Sequence, residues 1–171
     1  AENRAVMDEI YDRLGAGRPR GERLLDEIFD RLGAPGQAAV PKVGEGPGEV
    51  EVRYAQQLGS GFIQVRRIGI DTIAEIRRAQ RDLCESAGAA SIYLDLPLTQ
   101  PETPALCALA EAAGFYFCAL GRYFGPDGSD VLRLQYQPQD VDISALKIAN
   151  PFGQEIARYV ESERTRVRQP Q

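Results

Sequence analysis

The chain has 171 residues, 43% of them hydrophobic, enough for one cored domain with appendages, and a net charge of −5. An acidic surplus argues against holding a phosphate backbone by bulk electrostatics, so nucleic acid is not an expected partner. Histidine is absent, which excludes imidazole zinc sites, Ser-His-Asp triads and Cys-His pairs.

No run approaches the ~18 consecutive apolar residues of a membrane span, and the N-terminus lacks a basic segment followed by an apolar one. A cytoplasmic protein is expected. Cys84, Cys107 and Cys118 fall inside expected helices or strands and not at disulfide-like spacings, which suits a reducing compartment, and no metal site is expected. The chain starts at Ala1 and not at Met, so it reads as a processed form or a piece of something longer.

Residues 1–34, of which 1–33 are read as a helical hairpin, carry an internal duplication: Asp8 to Ala16 (DEIYDRLGA) recurs as Asp26 to Ala34 (DEIFDRLGA). Each copy predicts a short amphipathic helix, with stripes Met7, Ile10, Leu14 and Leu25, Ile28, Leu32, and with Gly15 and Gly33 at C-cap positions. Gly17, Pro19 and Gly21 break the chain between the copies, which predicts a helical hairpin. Two copies are too few for a solenoid. Packing on the domain or on a second subunit is the expected role.

Residues 34–48 are rich in Gly and Pro without periodicity and read as a linker. Val50, Val52 and Tyr54 then alternate with Glu51 and Arg53, the pattern of a half-buried strand, and Gly59-Ser60-Gly61 turns the chain into a partner strand from Phe62 to Ile68. Ile73, Ile76 and Leu83 recur at helical spacing, and Ile92-Tyr93-Leu94 closes the unit. Strand, helix, strand in that order predicts a parallel pair with a right-handed crossover. Thr72 and Glu75 have the spacing of a capping box, and Asp71 is read as the N-cap. Arg77, Arg78 and Arg81 read as a solvated helix face.

Thr103 as N-cap with Pro104 at the first helical position predicts a second helix, whose face is Leu106, Leu109, Ala110 and Ala113 and whose end is Gly114. A strand is expected from Phe115 to Phe124, a turn at Gly125-Pro126-Asp127-Gly128, and an antiparallel return from Val131 to Tyr136. Residues 138–165 are expected to hold accessory helices, one capped by Asn150-Pro151 with the stripe Phe152, Ile156 and Val160, and 166–171 to be a disordered tail.

Strand, strand, helix, strand, helix and closing hairpin, with Gly114-Phe115 at the hairpin entrance, resembles the C-terminal half of the GNAT acetyltransferase superfamily over about residues 49–137. The resemblance implies an α+β, three-layer α/β/α fold with a central mixed sheet, here partial, with accessory N- and C-terminal helices. The run IYLDLPL, TPALC, GFYF, DVLRLQY is also similar to GNAT-like domains that follow histidine-kinase-type ATP-binding domains of the anti-sigma-factor kind. That likeness implies a bacterial regulatory protein whose ATP site lies elsewhere.

The superfamily holds the diphosphate of coenzyme A on a Q/R-x-x-G-x-G/A loop, through backbone amides and a helix N-terminus. Arg66 and Gly69 match this pattern and Asp71 does not. A carboxylate within about 4 Å of a phosphate would repel it by a few kcal/mol at an effective dielectric near ~20. Arg66, Gly69, Asp71 and Thr72 are the cofactor-binding candidates.

The tyrosine that the family uses as general acid falls at Ala110, and an asparagine often found seven residues earlier falls at Thr103. Asp95, Tyr116 and Tyr123 are the remaining catalytic candidates, Asp95 with a second reading as a strand-end carboxylate that caps a loop. Two functions stay open: a non-catalytic regulatory, interaction or ligand-sensing module without a cofactor, and an acyl-CoA-dependent N-acyltransferase using acetyl-CoA. A truncated sheet leaves an exposed edge, so a homo-oligomer or an attached N-terminal domain is expected.

Overall fold

A computed structural model of the protein describes residues 44–142 and 147–169. The duplicated N-terminal segments lie outside the described residues. Among the described residues five strands form one sheet in the order β1-β2-β3-β5-β4. They are β1 (Glu49–Ala55), β2 (Ser60–Arg67), β3 (Ser91–Pro97), β4 (Tyr116–Gly121) and β5 (Val131–Tyr136), and the helices are α1 (Thr72–Glu85), α2 (Thr103–Glu111) and α3 (Pro151–Arg168). Only β2 and β3 run parallel, and the other neighbours are antiparallel. This is the α+β architecture with a mixed central sheet that the resemblance implies.

Alternation along the strands sets the core. Ile63 and Val65 of β2, Ile92, Leu94 and Leu96 of β3 and Leu132 and Leu134 of β5 are buried in one cluster with Ile76, Ala79 and Leu83 of α1 and Leu106 and Ala110 of α2. Period 2 on the strands and period 3.6 on the helices put these side chains on facing surfaces. The opposite sheet face is aromatic and ionic: Phe62 stacks on Tyr93 with ring centroids 5.4 Å apart, and the Arg133 guanidinium lies 4.9 Å from the Phe124 ring.

Several local expectations hold. The β1–β2 hairpin closes through Gly59 in the left-handed region at φ 58°, and Gly114 leaves α2 at φ 90°. Asn150 caps α3, its Oδ1 accepting from Gly153 N at 2.6 Å.

Others need correction. β4 stops at Gly121 instead of Phe124, because a bulge between Phe117 and Ala119 bends the strand and Tyr123 takes φ 59°. Thr103 is the first residue of α2 and not its cap; its buried hydroxyl donates to the Pro97 carbonyl. The C-terminal helix runs through Arg168, past the expected start of a disordered tail at 166, held by Arg168 to Asp140 and Arg166 to Glu111 and Glu163. Its deepest side chains are Tyr159, Glu163 and Arg164, with Phe152, Ile156 and Val160 half-buried. Tyr159 meets Phe117 edge-on at 5.4 Å, so α3 lies along the edge strand β4.

Candidate functional site

The β2–β3 ladder pairs from Ser60 with Ser91 to Gln64 with Asp95 and then opens. β3 stays with β5, pairing Leu96 with Leu132 and Pro97 with Val131, while β2 continues to Arg67 paired only with β1. Main-chain groups freed by such a parting must find other partners. One side chain supplies two of them: Gln100 Nε2 donates to Arg66 O and Gln100 Oε1 accepts from Ile68 N, both at 2.8 Å. A single carboxamide thus does at this point what a neighbouring strand does elsewhere.

The loop from Arg66 to Thr72, where the cofactor-binding candidates sit, is equally occupied. Gly69 N donates to Thr72 Oγ1 at 2.7 Å, Ile70 N to Gly46 O at 3.0 Å, and Thr72 N to Gly69 O at 3.2 Å. Gly46 belongs to a strap, residues 44–48, that crosses the loop. A methyl group on Gly69 would fall well inside van der Waals contact of Gly46 O, Pro47 C and Gly48 N. These residues therefore form no open linker but pack on the loop, correcting the reading of 34–48 over its described part. Only glycines allow two backbones this close.

Asp71 holds the strap down: its Oδ1 accepts from Gly48 N at 2.6 Å. It stands at the N-cap position of α1, yet its side chain makes no cap bond, because the carboxylate is turned to the strap. The capping box does not form either. Glu75 N bonds the main-chain oxygen of Asp71, and the buried Thr72 hydroxyl folds back to Gly69. Arg66 is ion-paired to Glu51 across the β1–β2 hairpin. A diphosphate cradle needs amides that point outward and unpartnered. With the amides of Ile68, Gly69, Ile70 and Thr72 bonded internally and the strap against Gly69, the residues as arranged do not fit that group.

The catalytic candidates are placed apart from this loop. Asp95 lies directly across from Arg133 in the β3–β5 register and holds it bidentately, both contacts at 2.7 Å. It caps no loop. Its partner also faces the Tyr93 ring at 5.5 Å. Beside this pair, burial pushes the Cys118 thiol up to about 11, against the lowering influence of Arg133, so it is a neutral thiol at ordinary pH. Tyr116 is buried, donates to Gln137 Oε1 at 2.6 Å, and is pushed up to about 12 by burial. Tyr123 is 69% exposed on the turn after β4, next to the Arg122 guanidinium at 5.1 Å.

Ala110, where the sequence resemblance would place a general acid, is completely buried in the core. Arg77, Arg78 and Arg81 are exposed, with a loose 3.8 Å pair from Arg78 to Asp82. Among the described residues no group of three or more His, Cys, Asp or Glu could hold a metal ion, and no described helix is long and apolar enough to cross a membrane. Sequence reasoning missed Gln100, Gly46 and Gly48. The only signal was the glycine density of the strap, which a linker shares.

No family model matches the chain, and no curated protein does. Among solved structures it is similar to a point mutant of spermidine N-acetyltransferase SpeG from Vibrio cholerae, with TM-score 0.40 and 21% identity, covering 56% of this chain and 63% of that one. A chimera of the Vibrio cholerae enzyme with hSSAT has TM-score 0.40 and 22% identity, covering 53% and 57%. A second point mutant of the same enzyme has TM-score 0.39 and 22% identity, covering 53% and 56%. The chain thus spans less than two thirds of the length of each of these structures.

Proposed function

We propose that this chain is a non-catalytic, GNAT-derived regulatory or interaction domain of a bacterial signalling protein, acting in the cytoplasm without a cofactor. The observation that carries the proposal is the closed loop beside Gly69, where Gly46 O and Gln100 take the bonds that a bound diphosphate carrier would need. The burial of Ala110 supports it, since no side chain at that position can deliver a proton. The signalling context rests on the resemblance in sequence, and the cytoplasmic setting on Cys84 and Cys118 being free thiols.

Calorimetric titration with coenzyme A and acetyl-CoA tests this reading. No heat of binding is expected at micromolar ligand. Micromolar binding abolished by Gly69→Glu would overturn it in favour of an acyl-CoA-dependent N-acyltransferase with Arg66 and Gly69 at the carrier's phosphates.

A further inference from the structure

We propose that β1 is an isologous dimer edge: two copies of this chain pair their β1 strands antiparallel about a two-fold axis through Val52, joining two five-stranded sheets into one. β1 ends the sheet, and among the described residues no strand pairs with its outer side. The opposite end, β4, has α3 along it. β1 is seven residues long and paired with β2 on its inner side, so its outer edge, without a strand partner among the described residues, forms a template for another strand. The usual device against such pairing, a bulge, sits only at its first step, between Glu49 and Val50.

The side chains select the partner and the register. In a pair centred on Val52, Glu51 stands opposite the partner's Arg53 and Arg53 opposite the partner's Glu51, while Val50 faces the partner's Tyr54 and Val52 faces its own counterpart. Directly opposed residues have Cβ atoms about 4.5–5.5 Å apart, close enough for each of these contacts. Moving the centre to Glu51 or to Arg53 sets like charges against each other. Moving it between two residues opposes valine to arginine. Only the Val52 register matches charge with charge and apolar with apolar, on both faces at once.

The exposures agree. Val50 and Tyr54 are half-buried against the core, yet Val52 between them, on the same face, is 47% exposed. Glu51 meets its existing partner through one oxygen, Arg66 Nε and NH2 both donating to Oε2, so Oε1 is left for the partner's Arg53. Arg53 is steadied over the Phe62 ring at 4.4 Å. The proposal does not depend on whether the loop beside Gly69 binds a ligand.

Sedimentation equilibrium on the full chain tests it, with circular dichroism melts to confirm folding of each variant. The wild type is expected to dimerise at tens of micromolar. Glu51→Arg and Arg53→Glu should each raise the dimer dissociation constant about tenfold or more, because each sets two like-charge pairs at the axis. The double reversal should restore the dimer, and mixing the two single variants should give a heterodimer that neither forms with itself, visible by native mass spectrometry. A wild-type monomer throughout this range overturns the proposal, and so does a dimer whose constant the single reversals leave unchanged or the double reversal fails to restore.

Discussion

Gln100 offers the sharpest test of how the parted strands are held. Its replacement by alanine removes the partners of Ile68 N and Arg66 O together. Ile68 is 4% exposed, so its amide gains little water, and a buried unsatisfied group costs about 1–3 kcal/mol. Arg66 is exposed, so water replaces much of what its carbonyl loses, leaving about 0.5–1.5 kcal/mol there. The sum, about 1.5–4.5 kcal/mol, corresponds to a fall in Tm of roughly 3–18 °C for a chain of this size.

Gln100→Glu separates the hydrogen bonds from the bulk of the side chain. The new carboxylate can still accept from Ile68 N, but its second oxygen faces the Arg66 carbonyl with no proton between them. Protonation restores that donor, so the folded-state pKa of the new carboxyl is raised above its unfolded value. Stability is then fully present below the unfolded carboxyl value near ~4.3 and is lost as pH rises through the raised folded value. Urea denaturation at pH 4 and pH 7 should show a deficit relative to wild type that is small at the lower pH and large at the higher. A deficit equal at both pH values, or a Gln100→Ala variant within about 0.5 kcal/mol of wild type, would refute the bridging role.

Two further perturbations address the strap and the buried phenol. Gly69→Ala pushes a methyl into the strap backbone, which cannot swing aside as a side chain would, and should cost about 1–3 kcal/mol. Hydrogen exchange at Ile70 N, which donates to Gly46 O, should then speed up while exchange in the middle of α1 stays as in wild type, and unchanged exchange at Ile70 would count against strap contact. At alkaline pH, Tyr116 is raised from its ordinary 10.0 to about 12, and Cys118 from 9.0 to about 11, both by burial. The fold favours their neutral forms, so stability present below the ordinary values is lost as pH rises through the raised ones. Thermal melts between pH 9 and 12 should fall steeply, and Tyr116→Phe should flatten the upper part of that fall.

What the amino-acid order settled by itself is local. The β2-α1-β3 unit, the turn out of α2 at Gly114, the Asn150 cap and the β5 strand at Val131–Tyr136 follow from periodicity, capping chemistry and positive φ, each acting within a few residues. Tertiary structure decided the rest. Asp71 has every local mark of an N-cap, but its carboxylate is claimed by Gly48, 23 residues back. Gln100 has no distinguishing pattern and acquires its role only because the fold brings Ile68, 32 residues earlier in the chain, beside it where β2 leaves β3. Asp95 meets Arg133 across a register that a strand entering 38 residues later imposes. A polar side chain takes whichever unsatisfied group the fold brings within 3 Å, and that choice is made by packing after the local elements exist.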